Sequence, residues 1–402
     1  MDDNLAISKC GINSLQKNAT INSFIETQRL TLSEEKSVVL HISKKKCKKR
    51  CPQLKVHKNS RKTVESVRYL GDVISASGSM RPCVEDRCKK GWGKVAEISG
   101  ILAEMPDIRQ IEVGLKLREA KLHNGILFNS EAWSNVVDTD MEKLEMVDRA
   151  ALRALIGGHK GGGHSKCSKA FYYLEYGTLM IKHTLMIRRL MYHHHILGRD
   201  DCEIIKKVYL KQKEKSCKGD WIHLLREDFA FIEEDICDEI IKNTPKDIYK
   251  LWVRKKVERA AFSNYLNLKE DSKKKLKDLH YEKLQIQPYL LSSQLTFKQK
   301  QLLYSLRSKC YPARMNFKKL NKGNLRCRFK CDSEETQDHI FENCGPIQAR
   351  ISYPVNVNLN QIFGSLDDQH KVINCLTTID HVRKLMIDIL PGGNGARTHV
   401  NT

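Results

Sequence analysis

Long apolar runs are missing from this sequence: nowhere do about 18 consecutive apolar residues occur, the length that a membrane span requires. It does not open on the basic-then-apolar stretch that directs secretion, so a soluble cytoplasmic or nuclear protein is expected. A glycine-rich phosphate loop with its lysine, a G-x-S-x-G elbow and an H-E-x-x-H pair are all absent, which leaves NTPase, hydrolase and zinc-protease readings without support. There is no tandem repeat. The 14 cysteines have no regular spacing, and with no sign of secretion most are expected to be reduced thiols rather than a disulfide framework.

What is there is charge and enough apolar matter to fold. The 402 residues are 41% hydrophobic and 29% charged, sufficient for a buried core and for two or three domains. Seventy Lys and Arg against 48 Asp and Glu leave a formal charge of +22, an excess that repels itself unless an anion offsets it. RNA or DNA is the expected partner. An anionic membrane surface is the runner-up, and without a spanning segment no membrane partner is expected.

Periodicity divides the chain unevenly. Residues 1 to 80 carry short apolar runs (Ser37 to Ile42, Ser66 to Ser75) and a stretch from Thr20 to Leu30 able to form a helix, which reads as a small α+β piece. From Pro82 onward the spacing is helical, broken at Gly157 to Gly163, Gly198, Gly219, Pro245, Pro288 and Pro312, so the fold class is mainly α. Met141, Leu144, Val147, Ala151, Leu152 and Leu155 mark one amphipathic stripe, with Asp140, Lys143 and Arg149 between. Leu179, His183, Met186, Leu190, His193 and Leu197 mark a longer one. His193-His194-His195 is not a metal tract, because consecutive helical residues point about 100° apart.

One group of cysteines is organised. Cys327, Cys331, His339 and Cys344 read C-x3-C-x7-H-x4-C, four ligands within 18 residues, which suits a structural Zn²⁺ tetrahedron: the first pair spans a tight turn and the last two lie about one helical turn apart. The blander alternative is a reduced cluster that only packs. Arg326, Arg328 and Lys330 flank the first pair with Phe329 among them, so a folded knuckle would set cations beside a ring able to stack on a base. Cations near thiols are also expected to lower their pKa and favour the metal at neutral pH.

The stretch from Lys44 to Lys62 holds ten Lys or Arg and no acid, concentrated in Lys44, Lys45, Lys46, Lys48, Lys49 and Arg50. A solubilising loop and a nuclear-import signal are alternatives, but phosphate contact accounts best for that density. Cys47 and Cys51 lack a second ligand pair at a workable distance. Arg188-Arg189, Arg254-Lys255-Lys256 and Lys273-Lys274-Lys275 are each expected on solvated helix faces.

Met1-Asp2-Asp3, then Lys36, then Tyr69-Leu70-Gly71, then a long helical body and the Cys-Cys-His-Cys group follow one another in an order that resembles the reverse transcriptases of non-LTR retrotransposons, the Dong-like group in particular. Leu117-Arg118, Glu131-Ala-Trp133, Leu174-Glu175-Tyr-Gly177 and Ile187-Arg188-Arg189-Leu190 fall where that group carries its thumb and linker motifs. The resemblance spans about residues 1 to 345 and its motifs are specific in combination. It implies RNA-directed DNA polymerisation by two-metal phosphoryl transfer, with Asp2 and Asp3 as the paired aspartates that hold Mg²⁺, and Tyr69, Leu70 and Gly71 as the primer grip. It also implies a palm remnant at 1–80, a helical thumb at 81–165, a helical linker at 166–320, the zinc knuckle at 321–347 and a tail at 348–402.

The sequence departs from the family in starting inside the catalytic box, so neither the preceding aromatic nor the earlier palm aspartate is in it; this chain alone is expected to be inactive as a polymerase. No restriction-like nuclease core follows Cys344. The rival reading is a non-enzymatic, zinc-dependent nucleic-acid-binding protein derived from a retroelement. RNA or DNA preference and oligomeric state stay open.

Overall fold

The computed structural model describes residues 5–8, 11–30, 33, 36–42, 55–56, 59–105, 110–157, 167–271, 276, 279–310, 325–327, 329, 331–337, 339–340, 344–349 and 381. Their fold is mainly helical. In chain order it comprises α1 (Gly11–Thr27), β1 (Val38–Leu40), β2 (Lys55–Val56), β3 (Asn59–Ser60), β4 (Lys62–Val64), β5 (Ser66–Tyr69), β6 (Asp72–Ser75), α2 (Arg81–Ala103), α3 (Gln110–Leu117), a π-helical stretch (Arg118–His123), α4 (Asn124–Ile126), a 3-10 turn (Ser130–Ala132), α5 (Asp138–Ala154), α6 (Lys169–Glu175), α7 (Ile181–Leu197), α8 (Ile204–Glu214), α9 (Trp221–Phe231), α10 (Asp238–Asn243), α11 (Lys246–Glu270), α12 (Pro288–Leu291), α13 (Phe297–Arg307) and α14 (Gly345–Gln348). Among the described residues no helix is long and apolar enough to cross a membrane.

The chain folds as two compact units, each assembled from separated segments. The first takes residues 1–94, 121–147 and 181–257, the second residues 95–120, 148–180 and 258–402.

In the first unit the N-terminal residues form the expected mixture of helix and short strands. α1 begins nine residues before the expected Thr20 and ends at Thr27 in a left-handed cap: the Arg29 amide donates to Glu26 O (3.1 Å) and the Leu30 amide to Ile25 O (2.9 Å), with Arg29 at φ 52°. The strands form three two-stranded pairings, β1 with β4 parallel, β2 with β3 and β5 with β6 antiparallel. α7 is the hub of the remainder. Its stripe of His183, Met186, Leu190, His193 and Leu197 is buried as the spacing predicts, and the helix packs against the 3-10 turn, α8, α9 and α10. α9 starts where Asp220 accepts from the His223 amide (2.7 Å), a carboxylate cap at the positive helix end.

The expectation of a solvated face at Arg188-Arg189 is overturned. Arg189 is buried and donates to Asp228 at 2.7 Å, and Arg188, partly buried, donates to the Leu127 carbonyl. α7 is enclosed on more than its apolar stripe, so the cations within that enclosure need partners. The three consecutive histidines have separate partners: His193 bonds Tyr209 Oη (3.0 Å), His194 the Thr244 carbonyl (2.8 Å) and His195 the Arg199 guanidinium (3.1 Å). Of the other basic runs, Arg254 and Lys255 are exposed, Lys256 pairs with Glu234, and Lys273-Lys274-Lys275 lie outside the described residues.

The second unit has an aromatic core of Phe171, Tyr172, Tyr173, Tyr176, Tyr265, Tyr289 and Tyr304. Two buried ion pairs run through it. Arg118 faces Asp148 with two parallel contacts of 2.7 Å, and its remaining donors reach Thr178 Oγ1 (2.7 Å) and Leu179 O (3.1 Å). Glu175 accepts from Arg307, Tyr281 and Tyr289. Directly after it, Gly177 has φ +56° and a side chain there would lie 2.1 Å from the Gln285 backbone carbon; only glycine permits the close approach that lets Tyr176 form a β-bridge with Ile286. The motif Leu174-Glu175-Tyr176-Gly177 is therefore a packing device, as is Arg118.

Candidate functional site

The four ligands predicted for zinc come together in the second unit. Residues 325–327 pair with 333–335 through Cys327 N to Ser333 O (2.9 Å), Glu335 N to Leu325 O (2.7 Å) and a bridge between Arg326 and Glu334, which places Cys327 on one side of the pairing and Cys331 shortly before the other. Thr336 then starts a helical turn by accepting from the His339 amide at 2.9 Å, which aims His339 back at this pairing. Cys344 sits at the start of α14. Gln337 ties this module down, its amide donating to Leu306 O of α13 at 3.0 Å.

The ligand atoms all lie within 4.8 Å of one another. Cys327 Sγ to Cys344 Sγ is 3.7 Å and Cys331 Sγ to Cys344 Sγ is 3.8 Å. A regular tetrahedron with Zn–S of about 2.3 Å has S···S edges of about 3.8 Å, so these edges fit the ion. Cys331 Sγ to His339 Nε2, at 3.0 Å, is shorter than the S···N edge of about 3.6 Å that such a tetrahedron has, and bringing the ring to its ideal place takes about half an ångström. The donor set, three thiols and an imidazole, is that of a structural zinc site.

Burial pushes the Cys344 thiol up to about 12 and raises the Cys327 thiol. The expected lowering by flanking cations does not occur at either: removal from water penalises the thiolate, and no described Lys or Arg is among the groups that act on these two sulfurs. Backbone amides work the other way. The Phe329 N–H points to the Cys327 sulfur and the Ile347 N–H to that of Cys344, the amide contacts that stabilise thiolates once a cation replaces their protons. Phe329 is half-buried; Arg328 and Lys330 lie outside the described residues.

Tyr69, Leu70 and Gly71 occupy a second feature, in the first unit. The β5–β6 hairpin pairs Tyr69 with Asp72 and closes on the two-residue loop Leu70-Gly71, both left-handed at φ +45° and +88°. Tyr69 is half-buried and Leu70 is 59% exposed. Sequence reasoning did not find the residues that hold this loop. Arg87 Nη2 donates to Asp72 Oδ1 (2.6 Å) and Gly71 O (3.1 Å), and Asn129 Nδ2 donates to Asp72 Oδ2 (3.1 Å) and Leu70 O (3.4 Å). No local pattern marks them, since their partners are up to 59 positions away.

Lys36 is exposed. Asp2 and Asp3, and the basic residues Lys44, Lys45, Lys46, Lys48, Lys49 and Arg50, lie outside the described residues. No protein-family model, curated protein or solved structure matches the chain.

Proposed function

We propose that this chain is the C-terminal part of a non-LTR retrotransposon reverse transcriptase whose helical body and zinc module hold RNA or primer–template DNA. The observation that carries the reading is the Cys327, Cys331, His339, Cys344 cluster, two of whose sulfur edges match a zinc tetrahedron and whose place in the order of motifs is that of the family it resembles. The charge of +22 supports a polyanionic ligand. A tightly turned Tyr69-Leu70-Gly71 hairpin, exposed at Leu70, is compatible with contact to a primer strand.

In this reading zinc is structural. Cys327, Cys331, His339 and Cys344 hold it, and the ion fixes a segment too short to bury a core of its own. Binding is then largely phosphate contact by exposed cations, because Arg118, Arg189 and Arg307 are already committed to Asp148, Asp228 and Glu175. The basic group from Lys44 to Arg50 supplies cations to the same end. Polymerisation would draw on Asp2 and Asp3, with a further palm aspartate, for Mg²⁺.

Metal analysis of the purified wild type and of Cys331→Ser, with RNA and DNA binding measured over a salt series, tests the reading. Zinc near one equivalent in the wild type, lost in the variant together with affinity, supports it. Equal zinc content in the two proteins, or binding that does not respond to salt, overturns it. Primer extension with Mg²⁺ separates the rivals: robust synthesis would refute the expected inactivity, whereas binding alone also suits a non-enzymatic protein of retroelement origin.

A further inference from the structure

The β5–β6 loop is costly in an unusual way. A two-residue hairpin loop of this type wants Asn or Gly at its first position, yet Leu70 sits there at φ +45°, in a left-handed region that a residue with a Cβ occupies only under strain. The side chain on this strained backbone is not packed away, being 59% exposed. Burial therefore does not explain it. Its neighbour Phe128 is 48% exposed and lies against the loop: a side chain built at Gly71 would come within 3.3 Å of Phe128 Cε1. Phe128 thus lies against the same hairpin loop that carries Leu70, and both side chains are left half in water.

The support beneath them is rigid and polar. Arg87, itself buried, gathers Asp72, the Gly71 carbonyl and, through Nη1, the Gly125 carbonyl (3.3 Å), and its guanidinium stands 5.4 Å from the centre of the Phe128 ring. Asn129, directly after Phe128, is left-handed at φ +57° and closes the same assembly by donating to Leu70 O and Asp72. Hairpin loop and ring are locked to each other by two side chains whose other contacts are inward. Scattered exposed apolar residues need no explanation, but an exposed leucine on a left-handed backbone, in a loop fastened to an exposed ring, does.

We propose that Phe128 forms, with Leu70, an apolar contact for one strand of a bound nucleic acid, and that Arg87 and Asn129 are the positioning residues that hold it. This rests on the nucleic-acid reading above and extends it to residues outside the hairpin. The occupant follows from charge and shape: a protein of +22 draws a polyanion to its surface, and a half-exposed ring against a loop that bears an exposed leucine offers the sequence-tolerant face on which a base and its sugar can stack.

The test uses the full chain and a fluorescently labelled RNA–DNA primer–template, with affinity measured by anisotropy across a range of KCl. Stacking of one base contributes about 1–3 kcal/mol, so Phe128→Ala should weaken binding by roughly 5- to 150-fold. The slope of log affinity against log salt should not change, because no cation is removed. Leu251→Ala, at a still more exposed leucine on α11, should leave binding unaltered. Asn129→Gly keeps the left-handed backbone but deletes the amide; it should reproduce part of the loss, and combining it with Phe128→Ala should add little. Binding by Phe128→Ala equal to a wild type that itself binds overturns this proposal alone. So does an equal loss in Leu251→Ala. A wild type that binds no nucleic acid removes the functional reading and this proposal together.

Discussion

Glu175 offers the sharpest test of how the second unit is held. Its carboxylate accepts from Arg307 Nε (2.9 Å) and Nη2 (2.8 Å), from Tyr281 Oη (2.6 Å) and from Tyr289 Oη (2.7 Å). Glu175 and Arg307 are both buried. Burial is the largest influence on Arg307 and lowers its pKa, but the Glu175 charge and hydrogen bond together with Tyr281 and Tyr289 outweigh it and the value is raised; burial first, then the same carboxylate, lifts both tyrosines far above their usual range. Glu175→Gln conserves shape and one acceptor but removes the charge and turns an amide donor toward donors. Removing one member of a buried pair costs about 3–5 kcal/mol, a large part of a total stability of about 5–15 kcal/mol. With a urea dependence of about 1–3 kcal/mol per molar, the midpoint by far-ultraviolet circular dichroism should fall by roughly 1 M or more. Arg307→Met should cost a similar amount. The double variant Glu175→Leu/Arg307→Met should be far less destabilised than the sum, since no charge is then stranded, and adding Tyr281→Phe and Tyr289→Phe should recover more by removing hydroxyls left without an acceptor. A loss below about 1 kcal/mol in Glu175→Gln, or additivity within about 0.5 kcal/mol in the double variant, would refute the description of these four side chains as one cage.

Two further outcomes follow from single positions. Gly177→Ala should lower the thermal midpoint, by the equivalent of about 1–3 kcal/mol, because the new methyl group meets the Gln285 backbone at a left-handed position; an unchanged midpoint would show that the 176–177 and 285–286 segments do not lie as close as described. His183 is stacked on Phe231 at 5.1 Å, and burial lowers its pKa to about 3, below the 6.5 of an unfolded chain. Its contribution is complete above pH 6.5 and is lost as pH falls toward 3, where the unfolded state takes up a proton that the folded state resists. Unfolding free energy should fall by up to about 1.4 kcal/mol per pH unit in that window, and His183→Leu should flatten the curve; equal slopes in the two proteins would count against a buried neutral imidazole.

The residues that could be read from sequence are those whose information is local. The Cys-Cys-His-Cys group is complete within 18 positions, and a short strand pairing and a helical turn are enough to converge its ligands. The stripe on α7 needed only its three- and four-residue spacing, and the α+β character of the first 80 residues only its short apolar runs. Charge was less legible. Asp140 and Arg149 read as the polar side of an amphipathic helix, yet both are buried, and the Arg188-Arg189 pair read as solvated. A cation's fate depends on whether a carboxylate arrives from elsewhere: Asp148 lies 30 positions from Arg118, Asp228 lies 39 from Arg189, and Arg307 lies 132 from Glu175. The same holds for the ring of Phe128 against Gly71. By itself the sequence determined where the helical body breaks at Gly198, Gly219, Pro245 and Pro288, which four side chains suit zinc, and that the chain is strongly cationic. Tertiary structure alone decided which charges are spent internally and which apolar side chains are left in water, because both depend on contacts between segments far apart in the chain.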